Sequence, residues 1–121
     1  MTESIDTLGG MRVLMCSAHG VTLADGGFDD LLGEALGHRV DMLVLPVERL
    51  GEGFLDLRTG IAGAVLQKLV NYRLRAAVVG DVSHASERST AWRDFVREAD
   101  RGKTCWFVGD VGELEARLVS N

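Results

Sequence analysis

Hydrophobic residues along the chain form two kinds of pattern: short unbroken runs, and stripes at helical spacing. Short runs rich in β-compatible residues are typical of buried strands, and they lie at residues 11–17, 40–45, 74–80 and 104–108. Stripes in which apolar residues recur three and four positions apart predict amphipathic helices, and they lie at residues 28–36, 61–70, 92–99 and 111–118. Predicted strands and helices therefore alternate along the chain.

This alternation predicts the fold class. It favours a single α/β domain in which helices cover a mostly parallel sheet of four strands in two or three layers, with a mixed sheet as the alternative. The run 74–80 is rich in Val and Ala without alternation, as expected for a central strand covered on both faces. Residues 1–10 are polar and end in two glycines, so we predict a flexible N-terminal arm before a domain at 11–121. The stretches 47–57 and 82–90 are predicted as irregular connections.

Composition and net charge argue against two classes of partner, nucleic acids and membranes. The chain has 121 residues, 46% of them hydrophobic, and a net charge of -5, which are the size and balance of one globular domain. An acidic protein lacks the basic stripe that binding to a nucleic-acid backbone requires. No apolar run approaches the roughly 20 residues of a membrane helix. We therefore expect a cytoplasmic protein that binds no nucleic acid and does not insert into a membrane.

Polar residues collect where the predicted strands end. The carboxyl ends of parallel strands lie along one edge of an open α/β sheet, and ligands usually bind there. The residues predicted at this edge, which we call the carboxyl rim, are Ser17, His19, Thr59, Asp81, Ser83, His84 and Asp110. The rim is therefore where a binding or catalytic site is expected.

The turn 56–60 leads into the second predicted helix and contains Asp56, Arg58, Thr59 and Gly60. A helix N-terminus attracts negative charge, so Thr59 could contact an anion or be phosphorylated. Equally, its hydroxyl could simply cap the helix. Arg58 could pair with an anion or with Asp56. The sequence leaves both interpretations of each residue open.

Motifs for specific chemistry are weak in this sequence. The paired glycines match neither a P-loop nor a dinucleotide fingerprint. Asp81, Ser83 and His84 follow one another too closely for a hydrolase triad, so a polar turn is expected there. Cys16 and His19 form a Cys-x-x-His pair with no second pair at zinc-site spacing. We therefore predict no metal and no cofactor, and we interpret both cysteines, which lie in hydrophobic runs, as buried thiols.

One family resemblance covers nearly the whole chain after residue 11. The segments that carry it are Phe-Leu-Asp-Leu-Arg-Thr-Gly-Ile-Ala-Gly at 54–63, Leu-Gln-Lys-Leu-Val-Asn-Tyr-Arg at 66–73, Val-Gly-Asp at 79–81, Arg-Asp-Phe at 93–95 and Arg-Gly at 101–102. Together they resemble a small bacterial family called domain of unknown function 4180. This resemblance implies a family without implying an activity.

A second resemblance concerns the order of the elements. Strand, helix and strand, followed by Phe-Leu-Asp leading into a glycine-started helix, is similar to STAS domains, the sulfate-transporter and anti-sigma-factor-antagonist modules. This resemblance implies a regulatory module in which Thr59 takes the position of a phosphorylated Ser or Thr and the surrounding surface docks a partner. The chain has Asp-Leu-Arg-Thr-Gly at 56–60 where STAS domains have Asp-Ser-Ser-Gly, and the predicted elements lack the extra first strand of those domains.

These observations favour a non-enzymatic regulatory or binding module. Its expected binding surface is the turn 56–60, where it docks a protein partner or a small anionic ligand, and a homo-oligomer is compatible with that role. The alternative is a small enzyme or metabolite-binding protein with a polar pocket at the rim. The residues of that pocket would be His19, Arg58, Asp81 and His84. The two hypotheses differ in whether these four side chains converge.

Overall fold

The computed structural model describes residues 3–120, whose strands form a five-stranded sheet. The strands are β1 (Ser4–Leu8), β2 (Met11–Met15), β3 (Met42–Pro46), β4 (Arg75–Val79) and β5 (Cys105–Val108), and they lie side by side in chain order. β1 pairs antiparallel with β2, whereas β2 to β5 are parallel. The predicted α/β class and mostly parallel sheet are confirmed, with five strands among residues 3–120 instead of four.

Within the same range, five α-helices pack on this sheet. They are α1 (Gly27–His38), α2 (Ile61–Asn71), α3 (Ser83–Arg88), α4 (Thr90–Arg101) and α5 (Val111–Ser120). Because the parallel strands follow one another in order, right-handed crossovers place α1, α2 and α4 on the same face of the sheet. α5 follows the last strand and packs on the opposite face through Leu114 and Leu118. The fold therefore has three layers.

Both faces of the sheet are buried. Leu43 and Val78 contact the helical layer on one side, while Val44 and Ala77 face α5 on the other. All four are at most 3% exposed. Since residues 42–45 and 76–79 alternate between the two cores, their sequences show runs rather than alternation, as predicted for residues 74–80.

The prediction of a flexible arm at residues 1–10 is wrong for residues 4–8, which form β1 and pair with β2 along its length. This strand lacks a clear sequence signal because its apolar residues face opposite sides of the sheet. Ile5 packs against the core beneath the helical layer, and Leu8 against the core beneath α5. Gly9 and Gly10, both at positive φ, form the hairpin turn to β2. Residues 1 and 2 lie outside the described part of the chain.

Two connections approach the carboxyl rim. The stretch 82–90, predicted as irregular, contains α3, in which Ala85 is the buried residue, so this helix leaves no hydrophobic stripe in the sequence. The segment between β3 and α2 spans residues 47–60 and includes two short 3-10 turns, and it contains the stretch 47–57, predicted to be irregular. We call this segment the crossing. Both connections begin at the carboxyl ends of strands and therefore build part of the rim.

Candidate functional site

The rim places the predicted site residues along one edge of the sheet. His19 follows β2, and its N–H donates to the Ser17 hydroxyl at 3.0 Å. Asp81 follows β4, and its carboxylate accepts the Ser83 N–H at 2.8 Å, which is the polar turn expected there. His84 lies in the first turn of α3 and is exposed. His19 and Asp81 are therefore held by hydrogen bonds to residues near them in the sequence.

The electrostatics of these residues also reflect local contacts. Hydrogen bonding with Ser83 holds the pKa of Asp81 below its ordinary value, and the nearby charge of His84 contributes less. Among the described residues, no hydrogen bond or ion pair joins the four members of the predicted rim pocket to one another. General acid-base catalysis works through an acid and a base held within hydrogen-bonding reach of the reacting atoms. These four side chains form no such hydrogen-bonded pair.

The turn 56–60 is an ordered structure held by its own side chains. Asp56 accepts the N–H of Arg58 at 3.0 Å and binds its guanidinium through both oxygens, with Nε at 3.1 Å and Nη2 at 3.0 Å. Hydrogen bonding with Arg58 holds the pKa of Asp56 below its ordinary value, and the same contact raises the pKa of Arg58. The Arg58 side chain is nevertheless 91% exposed. Of the two interpretations of Arg58, pairing with Asp56 is therefore the one observed.

Thr59 links the crossing to the start of α2. Its hydroxyl lies 2.6 Å from the Gly53 carbonyl oxygen and 2.9 Å from that of Asp56, and it accepts the Ile61 N–H at 3.2 Å. The next residue, Gly60, has a φ of 77°, a left-handed conformation that glycine adopts without strain. Thr59 therefore satisfies an N–H of the first helical turn, as a cap does.

A second arginine of the crossing, Arg49, lies buried at the rim, and sequence reasoning missed it. Its side chain is 7% exposed. Nε donates to the Val21 carbonyl at 2.9 Å, and Nη1 donates to the Ser17 carbonyl at 2.9 Å. Nη1 also lies 3.1 Å from Oε2 of Glu3. The loop after β2 and the residue before β1 therefore meet at this guanidinium.

Glu3 is the negative partner of this buried charge. Its side chain is 10% exposed, and the Ser17 N–H donates to its carboxylate at 3.4 Å. Burial raises the pKa of Glu3, but the hydrogen bonds from Arg49 and from the Ser17 backbone outweigh it and hold that pKa below its ordinary value. A carboxylate stabilised in this way stays charged in the folded protein near neutral pH.

Gly20 shapes the loop that surrounds Arg49. Its φ is 125°, and a Cβ atom at this position would lie 2.8 Å from both Cζ and Nη2 of Arg49. A side chain at residue 20 would therefore strain the backbone and collide with the guanidinium. We call the loop 17–21 together with the Arg49 side chain the cradle.

No strong sequence signal indicates the cradle. Arg49 stands within Val-Glu-Arg-Leu on an irregular segment, where an arginine is ordinarily exposed. Its partner Glu3 is 46 residues away in the stretch predicted as an arm. The available signal is Gly20, because a glycine at a strand end often marks a positive φ or the close approach of another group.

Two grooves lie between helices. One, of about 140 Å³, is lined mainly by apolar residues of α1 and α2 and includes the ion-paired Lys68 and Asp29. The other, of about 180 Å³, lies between α2 and α4 and reaches Cys105. Their lining residues include none of the predicted rim residues. The candidate functional surface is therefore the exposed turn 56–60, and Arg49 of the cradle lies on the same crossing.

Both cysteines are buried and free, as predicted. Burial raises the pKa of Cys16 and of Cys105 to about 12, so neither supplies the thiolate that nucleophilic chemistry requires. Within residues 3–120, no group of three or more His, Cys, Asp or Glu side chains is placed to hold a metal ion. No helix in the part of the chain that the structure describes is long and apolar enough to cross a membrane.

Comparison with known proteins identifies the family of the chain. Residues 8–118 match the family model described as Domain of unknown function (DUF4180). This match covers nearly all of the chain, so the protein belongs to that family, which confirms the resemblance carried by its sequence. No curated protein and no solved structure matches the chain.

Proposed function

We propose that this member of the family is a non-enzymatic binding module that docks an anionic group at the turn 56–60. The anionic group is a carboxylate or a phosphate, carried by a protein partner or by a small ligand. The observation that carries the proposal is the guanidinium of Arg58, which Asp56 holds in one orientation although the side chain is 91% exposed. Such a module serves a regulatory role by binding and releasing its partner.

Arg58 is pre-organised for docking. A guanidinium has five N–H donors in a planar fork, and Asp56 engages the donors on Nε and Nη2. Among the described residues, Nη1 has no hydrogen-bond partner, so donors remain for an incoming carboxylate or phosphate. Because the side chain is already held in place, binding costs less rotamer entropy than it would for an unrestrained arginine.

The start of α2 adds to the attraction for an anion. The N–H groups of a first helical turn and the helix dipole give this end of the helix a partial positive charge. Gly60 and Gly63 leave the surface open, since a Cβ atom at either position would meet no other atom within 4 Å. An anion that approaches Arg58 therefore also approaches the positive end of α2.

Thr59 provides a means of regulation in this proposal, as the resemblance to STAS domains implies. Its hydroxyl is hydrogen-bonded to the carbonyls of Gly53 and Asp56, so phosphorylation has to break these contacts. A phosphate on Thr59 would place negative charge beside Arg58, on the surface that the anion of a partner needs. Phosphorylation is therefore expected to release the partner.

Affinity capture from a lysate of the source organism tests this proposal, with retained proteins and small molecules both identified by mass spectrometry. Immobilised wild-type protein should retain a partner that the Arg58→Ala and Thr59→Glu variants lose. Arg97→Ala is the matched control, because Arg97 is also exposed and ion-paired, at 60% exposure, but lies on α4. That variant should retain the partner as the wild type does.

Circular dichroism and thermal unfolding establish that each variant is folded before capture. The absence of any retained partner would contradict the proposal. Equal retention by the wild type and Arg58→Ala would contradict it too. Equal loss in Arg58→Ala and Arg97→Ala would show that surface arginines in general hold the partner, so the turn 56–60 would lose its assigned role.

A further inference from the structure

The cradle has the features of an anion-binding site that is already filled. Two backbone carbonyls hold the Arg49 guanidinium in place, and Gly20 has no Cβ atom to collide with it. Carbonyl groups orient a cation without neutralising its charge, so a guanidinium that is 7% exposed requires an anion. In this structure Glu3 supplies that anion.

The anion comes from the edge of the sheet. Glu3 directly precedes β1, which pairs with β2 alone. Leu8 is the buried residue of β1, Ile5 is partly buried, and the other three residues are exposed. Segments with little buried apolar surface open more readily than central strands. The carboxylate in the cradle therefore lies on a part of the fold that is expected to open early.

We infer that the cradle is a carboxylate-binding site, that Glu3 occupies it as an internal ligand, and that β1 is a strap controlling access to it. When β1 opens, Glu3 leaves, and Arg49 remains oriented by the Ser17 and Val21 carbonyls. A carboxylate from another molecule then takes the place of Glu3. The site is separate from the turn 56–60 and does not depend on the function proposed for that turn.

A carboxylate is the matching ligand class because the cradle already accommodates one. Oε2 of Glu3 lies 3.1 Å from Nη1 of Arg49 and accepts the Ser17 N–H at 3.4 Å. Two donors therefore converge on one oxygen of a planar group that carries a single charge. A phosphate is tetrahedral, larger and more highly charged, so it fits this space less well.

The first experiment removes the internal ligand and supplies an external one. Glu3→Ala leaves the cradle without an anion, so sodium acetate should raise the Tm of this variant, and above the dissociation constant the rise should follow the logarithm of the acetate concentration. The limit on binding energy per non-hydrogen atom puts the dissociation constant of acetate on the order of 0.1 mM or weaker, which sets the titration range. The wild type should show no such rise in Tm, because Glu3 fills the site.

Controls separate binding at the cradle from general salt effects. Acetamide has the shape of acetate without its charge, and it should leave the Tm of Glu3→Ala unchanged. Sodium chloride at the same concentrations accounts for ionic strength. An acetate response no larger than the response to either control would overturn the inference.

The second experiment examines the strap in the wild-type protein by amide hydrogen exchange. Where exchange follows the opening equilibrium, a ligand that captures the open state multiplies the exchange rate by one plus the ratio of its concentration to its dissociation constant. At about nine times the dissociation constant measured for Glu3→Ala, β1 amides that pair with β2 should exchange about tenfold faster. Amides of β3 and β4 should keep their rates.

Acetamide at the same concentration is again the reference. If acetate leaves β1 exchange at the rate seen with acetamide, an external carboxylate does not replace Glu3 and the inference fails. Equal acceleration in β1, β3 and β4 would also overturn it, since that result reports global destabilisation. If Glu3→Ala does not fold, a titration of β1 exchange in the wild type against rising acetate tests the same replacement.

Discussion

Arg49 and Arg58 lie on the same crossing, and each pairs with a carboxylate, yet their surroundings are opposite. Arg49 and Glu3 are 7% and 10% exposed, whereas Arg58 is 91% exposed beside Asp56 at 39%. The Arg49 pair joins two segments that are 46 residues apart, while the Arg58 pair closes a turn between near neighbours. The same chemical contact thus holds the tertiary structure together in one place and presents a charge to solvent in the other.

Burial decides what each pair can do. Water and salt screen an exposed ion pair, so it adds little to stability and its arginine is available to another anion. A buried pair cannot lose one member without leaving an uncompensated charge in the interior. This difference supports the docking proposed for Arg58, and it makes the Arg49 pair a structural contact that β1 has to release, under the inference above, before another carboxylate enters.

The largest loss of stability is expected for the Arg49→Met variant. This substitution keeps much of the side-chain volume but leaves Glu3 buried without its counter-ion, a change that costs about 3–5 kcal/mol in buried pairs. Urea unfolding followed by circular dichroism gives the free energy of unfolding. Arg58→Met is the matched control and should leave that free energy unchanged within error, because its pair is exposed. Equal losses in the two variants would remove the distinction between the pairs.

The next largest effect is expected for Gly20→Ala, which should destabilise the protein by about 1–3 kcal/mol. It adds a Cβ atom at positive φ, 2.8 Å from Cζ of Arg49. Gly26→Ala isolates the backbone contribution, because Gly26 has a φ of 96° but open space at the Cβ position. Thermal unfolding should show a greater loss for Gly20→Ala. Equal losses would mean that residue 20 does not confine the guanidinium.

A smaller loss, of about 1 kcal/mol, is expected for Thr59→Val. The variant keeps the shape of the side chain but removes the hydroxyl that contacts Gly53, Asp56 and the Ile61 N–H. Thr59→Ser retains the hydroxyl and should unfold at nearly the wild-type urea concentration. If Thr59→Val is as stable as Thr59→Ser, the hydroxyl does not hold the turn, and the fixed orientation of Arg58 loses its support.

The smallest effect concerns pH: the contribution of Glu3 to the free energy of unfolding should depend on it. The pKa of Glu3 is lowered in the folded state from an ordinary value of 4.5, so its contribution is complete above that pH and is lost as the pH falls through the lowered folded pKa. The difference in unfolding free energy between the wild type and Glu3→Gln should therefore be constant above about pH 5 and shrink below it. A difference that grows with acidification would mean that the pKa of Glu3 is raised.

The layered fold was predictable because long patterns encode it. The four parallel strands and the helices that connect them have apolar runs and stripes several residues long, and these match the two cores of the structure. β1 was missed because Ile5 and Leu8 serve opposite faces of the sheet. α3 was missed because it buries Ala85 and no stripe. Short elements such as β1 and α3 contain too few apolar residues to show a regular spacing in the sequence.

The candidate site was predictable only where its contacts are local. Asp56 and Arg58, like Thr59 and Ile61, are two residues apart, so turn chemistry and helix capping indicate them directly. The pairing of Arg49 with Glu3 depends on the crossing and β1 meeting in space, and no spacing rule connects such residues. Gly20 hints that a group approaches the loop closely, but only the tertiary structure shows that this group is Arg49.

Side-chain NMR of arginine-labelled protein during an acetate titration tests most directly whether the two arginines differ in anion access. For the wild type, we predict saturable shifts of the Arg58 guanidinium signals that exceed those of Arg97, and no shift of Arg49. In Glu3→Ala, the Arg49 signals should also shift saturably, while acetamide should have no effect in either protein. Arg58 shifts no larger than those of Arg97, or Arg49 signals that stay unchanged in Glu3→Ala, would contradict the account.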